Sequence, residues 1–283
     1  MFTLNCKGKL LSLEHPVVMG VLNATPDSFF EGHLDKGIEG ILQHAAKMIG
    51  EGAAIIDVGG QSTRPGSERI DATEELDRVL PVIEAIRKKF PDTIISIDTY
   101  HSKVAQATVQ AGAHMVNDIS SGGLDEAMIE TVASFKNVPY VCMHMKGRPE
   151  NMQEHAQYDD VVKEVLDFFI EKQDACRKAG INDVIIDPGF GFAKTIEQNF
   201  YLLKHLSILN ILDKPLLVGL SRKATIYKTL GVTAAEALNG TTVLNTIALM
   251  NGANILRVHD VKEAREAVEL VKVYSKSGNL SNK

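Results

Sequence analysis

Eight times along this chain a short apolar run ends near a polar residue, passes into a loop and gives way to a helical pattern. The runs lie at 17–22, 53–58, 94–97, 114–116, 139–143, 184–186, 215–219 and 254–256. Helical apolar spacing follows at 38–49, 73–86, 102–111, 125–135, 159–179, 196–206, 224–251 and 261–274. Strands separated by helices can pair only in parallel, and parallel strands are covered on both faces, so they read as continuous apolar runs. The clearest example is Val184-Ile185-Ile186, which stops on Asp187. Pro188 then removes a ladder donor, and Gly189 and Gly191 allow a tight loop with close backbone approach.

Eight such units suit a closed α/β barrel, a single (β/α)8 TIM barrel domain over residues 1–283. The rival, an open doubly wound sheet, carries a G-x-G-x-x-G turn after its first strand. Here Asn23 and a proline-containing loop stand at that place. Weak alternation around Lys7-Gly8 predicts an N-terminal β-hairpin over residues 1–14. Thr73 is the expected cap of the second helix, Pro81 its expected kink, and 275–283 a frayed tail.

The chain has 283 residues, 45% of them hydrophobic, which is enough for a full core. A net charge of -6 argues against nucleic acid as the main partner, since that task needs a basic face. No apolar run approaches the ~20 residues of a membrane helix. The N-terminus has neither the apolar stretch nor the cleavage site of a secretory signal. Three cysteines without metal-ligand spacing fit a reduced, cytoplasmic setting.

In such a barrel the strand ends converge on one face. They deliver Asn23, Asp57, Asp98, Asn117, His144, Asp187, Ser221 with Lys223, and Arg257 with His259. One polar end is ordinary, but eight at one rim make a site. The set holds no cysteine cluster and no G-x-S-x-G elbow. Its carboxylates and carboxamides suit the N–H edge of a flat heterocycle, and Lys223, Arg257 and His259 suit a phosphate. Taken singly, Asp187 reads equally as a loop cap, Arg257 as a rim salt bridge and Lys223 as a surface lysine. Cys142 beside His144 reads as a core thiol next to a polar rim.

Seven motifs in order resemble the dihydropteroate synthase family of pterin-binding enzymes. They are Leu22-Asn23-x-Thr25-Pro26-Asp27-Ser28-Phe29, Gly59-Gly60-x-Ser62-Thr63-Arg64-Pro65-Gly66, Asp98-Thr99-Tyr100, Asn117-Asp118-Ile119, Asp187-Pro188-Gly189-Phe190-Gly191-Phe192, Ser221-Arg222-Lys223 and Arg257-Val258-His259-Asp260. The resemblance implies a transferase of folate biosynthesis that joins 6-hydroxymethyl-7,8-dihydropterin diphosphate to p-aminobenzoate and releases pyrophosphate. It further implies Mg²⁺, a homodimer and binding of sulfonamide inhibitors.

Carried over by position, the resemblance gives Asp98, Asn117 and Asp187 to the pterin ring and Lys223 to both substrates. Asn23 goes to Mg²⁺, Arg257 and His259 to the diphosphate, and Thr63 to the pterin substrate. Phe190, Ser221 and Pro65 frame the p-aminobenzoate pocket. Lys223, Asp98, Asp187 and Arg257 would carry the catalysis. The chain departs from the family pattern at residues 30–33, at Gln61 where a glutamate is usual, and at Ser120-Ser121. Two other functions fit the same barrel: a pterin-dependent methyltransferase domain and a catalytically silent pterin-binding subunit. The loop at 62–66 with Ser221-Arg222-Lys223 and Arg257-Val258-His259 speaks against methyl transfer, which has no diphosphate to hold.

Overall fold

The structure is a computed structural model that describes residues 1–24, 34–61 and 69–277. Thr63, with Asp27, Ser62, Arg64, Pro65 and the departures at 30–33, lies outside the described residues, as does the end of the tail, 278–283.

Strands β1 (Thr3–Cys6) and β2 (Lys9–Ser12) form the antiparallel hairpin. Lys7 and Gly8 turn it with φ of 53° and 93°. The barrel strands are β3 (Val17–Asn23), β4 (Ile55–Gly59), β5 (Ile94–Asp98), β6 (Met115–Asp118), β7 (Tyr140–Met143), β8 (Val184–Asp187), β9 (Leu217–Val218) and β10 (Ile255–Val258). They pair in parallel in the order β8-β7-β6-β5-β4-β3-β10-β9. A bridge between Ile186 and Leu216 joins the two ends, with the Ile186 N–H donating to the Pro215 carbonyl at 2.9 Å. β9 is only two residues long, against the five of the 215–219 run.

Alternate residues of each strand face opposite sides. One inward residue from every strand forms an apolar plug: Met19, Ile55, Ile94, Met115, Val141, Ile185, Leu217 and Ile255. The hairpin lays Leu4 and Cys6 against it, with Leu13 beside them. Outward residues such as Ile56, Val58, Ile95, Ile97 and Ile186 meet the helices in a larger core. Burying an isoleucine of this kind stabilises the fold by about 1.5–3 kcal/mol.

The surrounding helices are α1 (Leu34–Gly50), α2 (Ala72–Lys89), α3 (Ser102–Ala111), α4 (Met128–Ser134), α5 (Val161–Ala179), α6 (Ile196–Lys204), α7 (Ala224–Leu230), α8 (Leu238–Met250) and α9 (Val261–Lys276). The elements refine several local expectations. Asp71, not Thr73, caps α2, accepting from the N–H groups of Thr73 and Glu74 at 2.8 and 2.9 Å. α2 runs on through Pro81. The helix expected from 125 starts at Met128, because the Asp125 carboxylate accepts from the N–H groups of Ser102 and Ala127 instead. The stretch 224–251 is two helices, since Gly231 at φ 68° ends the first. α9 extends to Lys276, one residue past the expected start of the tail.

Candidate active site

Two residues beyond the apolar plug, five of the eight inward positions turn polar. In strand order they are Val21, Asp57, Ser96, Asn117, Met143, Asp187, Gly219 and Arg257. One step further, Asn23 and Asp98 end β3 and β5. The polar layer is thus a consequence of strand period, and its side chains meet across the barrel mouth.

Arg257 is the centre of that meeting. Its Nε donates to Asp57 Oδ2 at 2.7 Å and its Nη2 to Asp98 Oδ2 at 2.5 Å. Asn117 Nδ2 donates to the same Asp57 oxygen at 3.0 Å. The two carboxylate side chains are 0% and 7% exposed. Burial raises the Asp98 pKa to about 7, although Arg257 pulls it down, with Asp57, Asp118 and Asp187 adding to the rise. Burial works against the Arg257 charge, but Asp57 and Asp98 outweigh it and hold the guanidinium firmly protonated. Asp57 Oδ1 and Ser96 Oγ, register partners on β4 and β5, are buried with no protein partner among the described residues. Orphan polar atoms in the wall of an open mouth point to a polar ligand or water there.

Asp187 ends β8 and accepts from the Gly189 N–H at 2.8 Å. Burial pushes its pKa up, with Lys223 and the Gly189 N–H opposing. Lys223 stands just before α7 and donates to the Phe190 carbonyl at 2.5 Å. Its Nζ lies 4.7 Å from the centroid of the Phe192 ring. Burial lowers the Lys223 pKa to about 8, with Asp187 opposing. At Gly191, with φ 82°, a Cβ would crowd Lys223 Cδ at 3.1 Å, so this glycine leaves room for the lysine. Ser221 Oγ stands 3.1 Å from His259 Nδ1 and accepts from the His259 N–H, which fixes the imidazole on the rim. Arg222 between them is structural: it makes a two-pronged pair with Asp260 at 2.8 Å on each arm. Asn23 is exposed at the end of β3, in register with Gly59.

The geometry brings together Asp98, Asn117, Asp187, Lys223 and Arg257, with Ser221 and His259 on one side and Asn23 on another. Two assignments change. Phe190 is fully buried in the outer core among side chains of the helix layer, so it offers the mouth its carbonyl and not its ring. Phe192 is the aromatic that faces the mouth, in an apolar wall with Tyr100, Ile119 and Met143. His144 does not face the mouth either. Val141 and Met143 take the inward positions of β7, so His144 turns outward, 4.9 Å from the Phe168 ring centroid. Cys142 is a buried thiol 3.8 Å from that of Cys176.

Asp57 was one of eight strand ends, and the structure gives it the central role of holding both Arg257 and Asn117. Glu75 and Lys194 escaped notice. Glu75 is buried behind the mouth, accepts from Thr99 Oγ1 at 2.9 Å and is pushed by burial to a pKa of about 8. Its signal was a carboxylate in phase with Val79 and Val82 on the apolar side of α2. Lys194 had a plainer one: with Asp187 it is the only charge in 184–196. Gln61 accepts from the Tyr100 hydroxyl at 2.9 Å.

The chain matches the family model described as "Pterin binding enzyme" over residues 19–259. It is 46% identical over 267 residues to the dihydropteroate synthase of Escherichia coli (strain K12), covering 94% of each chain. The Yersinia pestis dihydropteroate synthase, solved as a sulfonamide drug complex, superposes with a TM-score of 0.91 at 42% identity, over 97% of this chain and 100% of that one. The Xanthomonas albilineans enzyme with 4-aminobenzoic acid gives 0.89 at 39% identity, over 96% and 98%. With its barrel, its charged mouth and these relatives, the chain belongs to the pterin-binding enzyme family and, within it, to the dihydropteroate synthases, which are transferases.

Proposed function

We propose that the mouth joins 6-hydroxymethyl-7,8-dihydropterin diphosphate to p-aminobenzoate, giving 7,8-dihydropteroate and pyrophosphate, with the work divided as follows. Asp187, Asn117 and Asp98 take the hydrogen-bonding edge of the pterin ring at the bottom of the polar layer. The orphan Asp57 Oδ1 is a further acceptor there. Arg257, already gripping Asp57 and Asp98, turns its outer edge to the diphosphate, beside the His259 imidazole that Ser221 orients. The C–O bond breaks with its electron pair on pyrophosphate. The cation left on the pterin methylene sits among Asp98, Asp187 and the electron-rich ring. The arylamine lone pair then forms the C–N bond, and its nitrogen passes a proton to water or to the released pyrophosphate. No activated nucleophile is required. Lys223, over Phe192 and beside Asp187, faces both substrates, and Phe192 replaces Phe190 as the ring beside the arylamine.

Among the described residues no group of three or more His, Cys, Asp or Glu side chains converges to hold a metal. Asn23, exposed at the end of β3, would offer a Mg²⁺ ion its side-chain oxygen, a hard donor of the kind that ion takes. The ion would spread the leaving group's charge.

Exposed apolar side chains on α8 (Val243, Ile247, Met250) and α9 (Leu270, Val273, Tyr274) support a homodimer built on that face. Three unpaired buried cysteines suit the cytoplasm. No helix among the described residues is long and apolar enough to cross a membrane.

The observation that carries the reading is the Asp57–Arg257–Asp98 network set opposite Asp187 and Lys223 in one barrel mouth. Turnover with both substrates and Mg²⁺ tests it. Formation of dihydropteroate is the expected result, and pterin binding without turnover would reduce the chain to a silent binding subunit. Sedimentation of the purified chain tests the dimer.

A further inference from the structure

Behind the loop that follows β8 sits a second lysine that the substrates cannot reach. Lys194 is 3% exposed. Its Nζ donates to the carbonyls of Gly189 at 3.0 Å and Phe192 at 3.1 Å, and lies 3.0 Å from His144 Nδ1. The three hydrogens of an ammonium serve these three acceptors, with the His144 carbonyl a longer fourth at 3.5 Å, provided His144 is neutral and carries its proton on Nε2. The imidazole's own place supports this, because burial and then Lys194 hold its pKa well below the usual value.

The two carbonyls that Lys194 holds bracket the turn bearing Phe190, whose carbonyl binds Lys223 from the front. The same turn donates the Gly189 N–H to Asp187. Gly189, at φ 70°, runs so close to the His144 carbonyl that a Cβ would overlap it. The loop is therefore clamped between two cations, one on each side. No carboxylate pairs directly with Lys194 among the described residues. Its charge acts on Asp187, whose ionised form it favours.

We propose that Lys194 is a positioning residue for the pterin pocket: its buried ammonium fixes the 189–192 turn from behind and sets a positive charge near Asp187, the acceptor offered to the ring. This deepens the reading given above and rests on it. The His144 ring that receives Lys194 is itself seated against Phe168 and Tyr158, so the clamp reaches from the mouth to α5.

Other charges face the same groups. Lys146 and Lys223 bear on Lys194 together with Asp187, and burial lowers the Lys194 pKa to about 7. Lys223 and Arg257 bear on Asp187 from the mouth, with Asp98 across it. Removing Lys194 takes one of three cations from Asp187 and leaves the other two in place. The Asp187 pKa should rise, and the Asp187 contribution to the acid limb of kcat/KM for the pterin substrate, which adds to that of Asp98, should move to higher pH.

The experiment uses Lys194→Met and Lys194→Gln in the full chain. The glutamine keeps two donors for the carbonyls and loses the charge. Profiles of kcat/KM against pH are recorded for both, beside thermal midpoints and far-ultraviolet circular dichroism. The unmodified chain must first turn over both substrates. If it does not, the functional reading fails and not this inference. With turnover in hand, an upward shift of the acid limb in Lys194→Gln, with KM for pterin raised more than kcat is lowered, is the expected result. A uniform drop at every pH with an unmoved limb would overturn the proposal and make Lys194 a structural brace alone. Should Lys194→Met fail to fold, Lys194→Gln decides between these two outcomes.

Discussion

The two ends of the barrel are built from the same strands and differ by two residues along each. At the closed end Ile55, Ile94, Ile185 and Ile255 meet in an apolar plug under the hairpin. At the open end Asp57, Ser96, Asp187 and Arg257 stand at the next inward positions of the same four strands. The plug gains from every methyl it removes from water. The mouth carries three buried carboxylates, an arginine and a lysine, whose desolvation opposes folding and is recovered only through mutual pairing. Stability is concentrated at one end and reactivity at the other, and a substitution should report which end it touches by whether stability, turnover or both respond.

The largest effect expected is at Arg257. Replacing it by methionine leaves Asp57 and Asp98 buried without their partner, which should destabilise the fold by about 3–5 kcal/mol. Turnover should fall by about 10²–10³-fold as well, since a donor to developing charge is gone. Chemical denaturation and steady-state kinetics on the same preparation check both. Adding Asp98→Asn to Arg257→Met should return part of the stability and none of the activity. Recovered activity would break the assignment of Arg257 to the chemistry.

Next comes the plug. Ile185→Ala removes a fully buried side chain two residues before Asp187 on the same strand. A loss of about 2–5 kcal/mol is expected from lost burial and the cavity left behind. The kcat of the remaining folded protein should stay near its starting value. Comparable losses of kcat and of stability would mean that the two ends are mechanically coupled along β8.

Asp187→Asn should separate the two properties in the opposite way. It exchanges an acceptor-only group for one that also donates, and should weaken pterin binding by about 1.5–3 kcal/mol in calorimetry. The fold should not weaken in step, because an amide is cheaper to bury than a carboxylate whose pKa burial already raises. A loss of stability equal to the loss of affinity would contradict that separation.

The contrast between the ends was largely legible in the sequence. Asp98, Asn117, Asp187, Lys223 and Arg257 stand at strand ends followed by loops, and a polar residue closing a buried run is an easy mark. What failed was parity. His144 follows an apolar run just as Asp187 does, but the inward phase of β7 belongs to Val141 and Met143, so His144 lands on the other side. The two phenylalanines of the 189–192 loop pose the same problem without a strand to set the phase. The turn hides Phe190 and presents Phe192, and no periodicity marks a turn held by two glycines and two lysines. Glu75 was missed because an acidic residue in the first turn of a helix reads as a partner of the dipole, while its burial depends on where α2 docks. Asp71 and Thr73 both have cap chemistry two residues apart, and only backbone geometry selects between them.

The smallest effect expected is the pH dependence of the unmodified protein, and it runs in opposite directions for the two properties. The Asp98 pKa stands at about 7 in the folded chain, against 3.8 for an ordinary aspartate. As an acceptor for the pterin ring it must be ionised, so pterin affinity should fall as pH drops through 7, by at most about tenfold per unit. Folding responds the other way. A carboxyl whose pKa is raised on folding binds its proton more tightly in the folded state, so its contribution to stability is full below 3.8 and is lost as pH rises through 7. Arg257 limits that loss by pairing with the ionised form. Between pH 6 and 8 pterin affinity should therefore rise while the Asp98 contribution to stability declines, and Asp98→Asn should abolish both trends. Calorimetric titration of the pterin substrate and thermal unfolding across the same buffers measure the two slopes. Slopes of the same sign, or an Asp98→Asn protein that keeps them, would show that another group sets the pH response of the mouth.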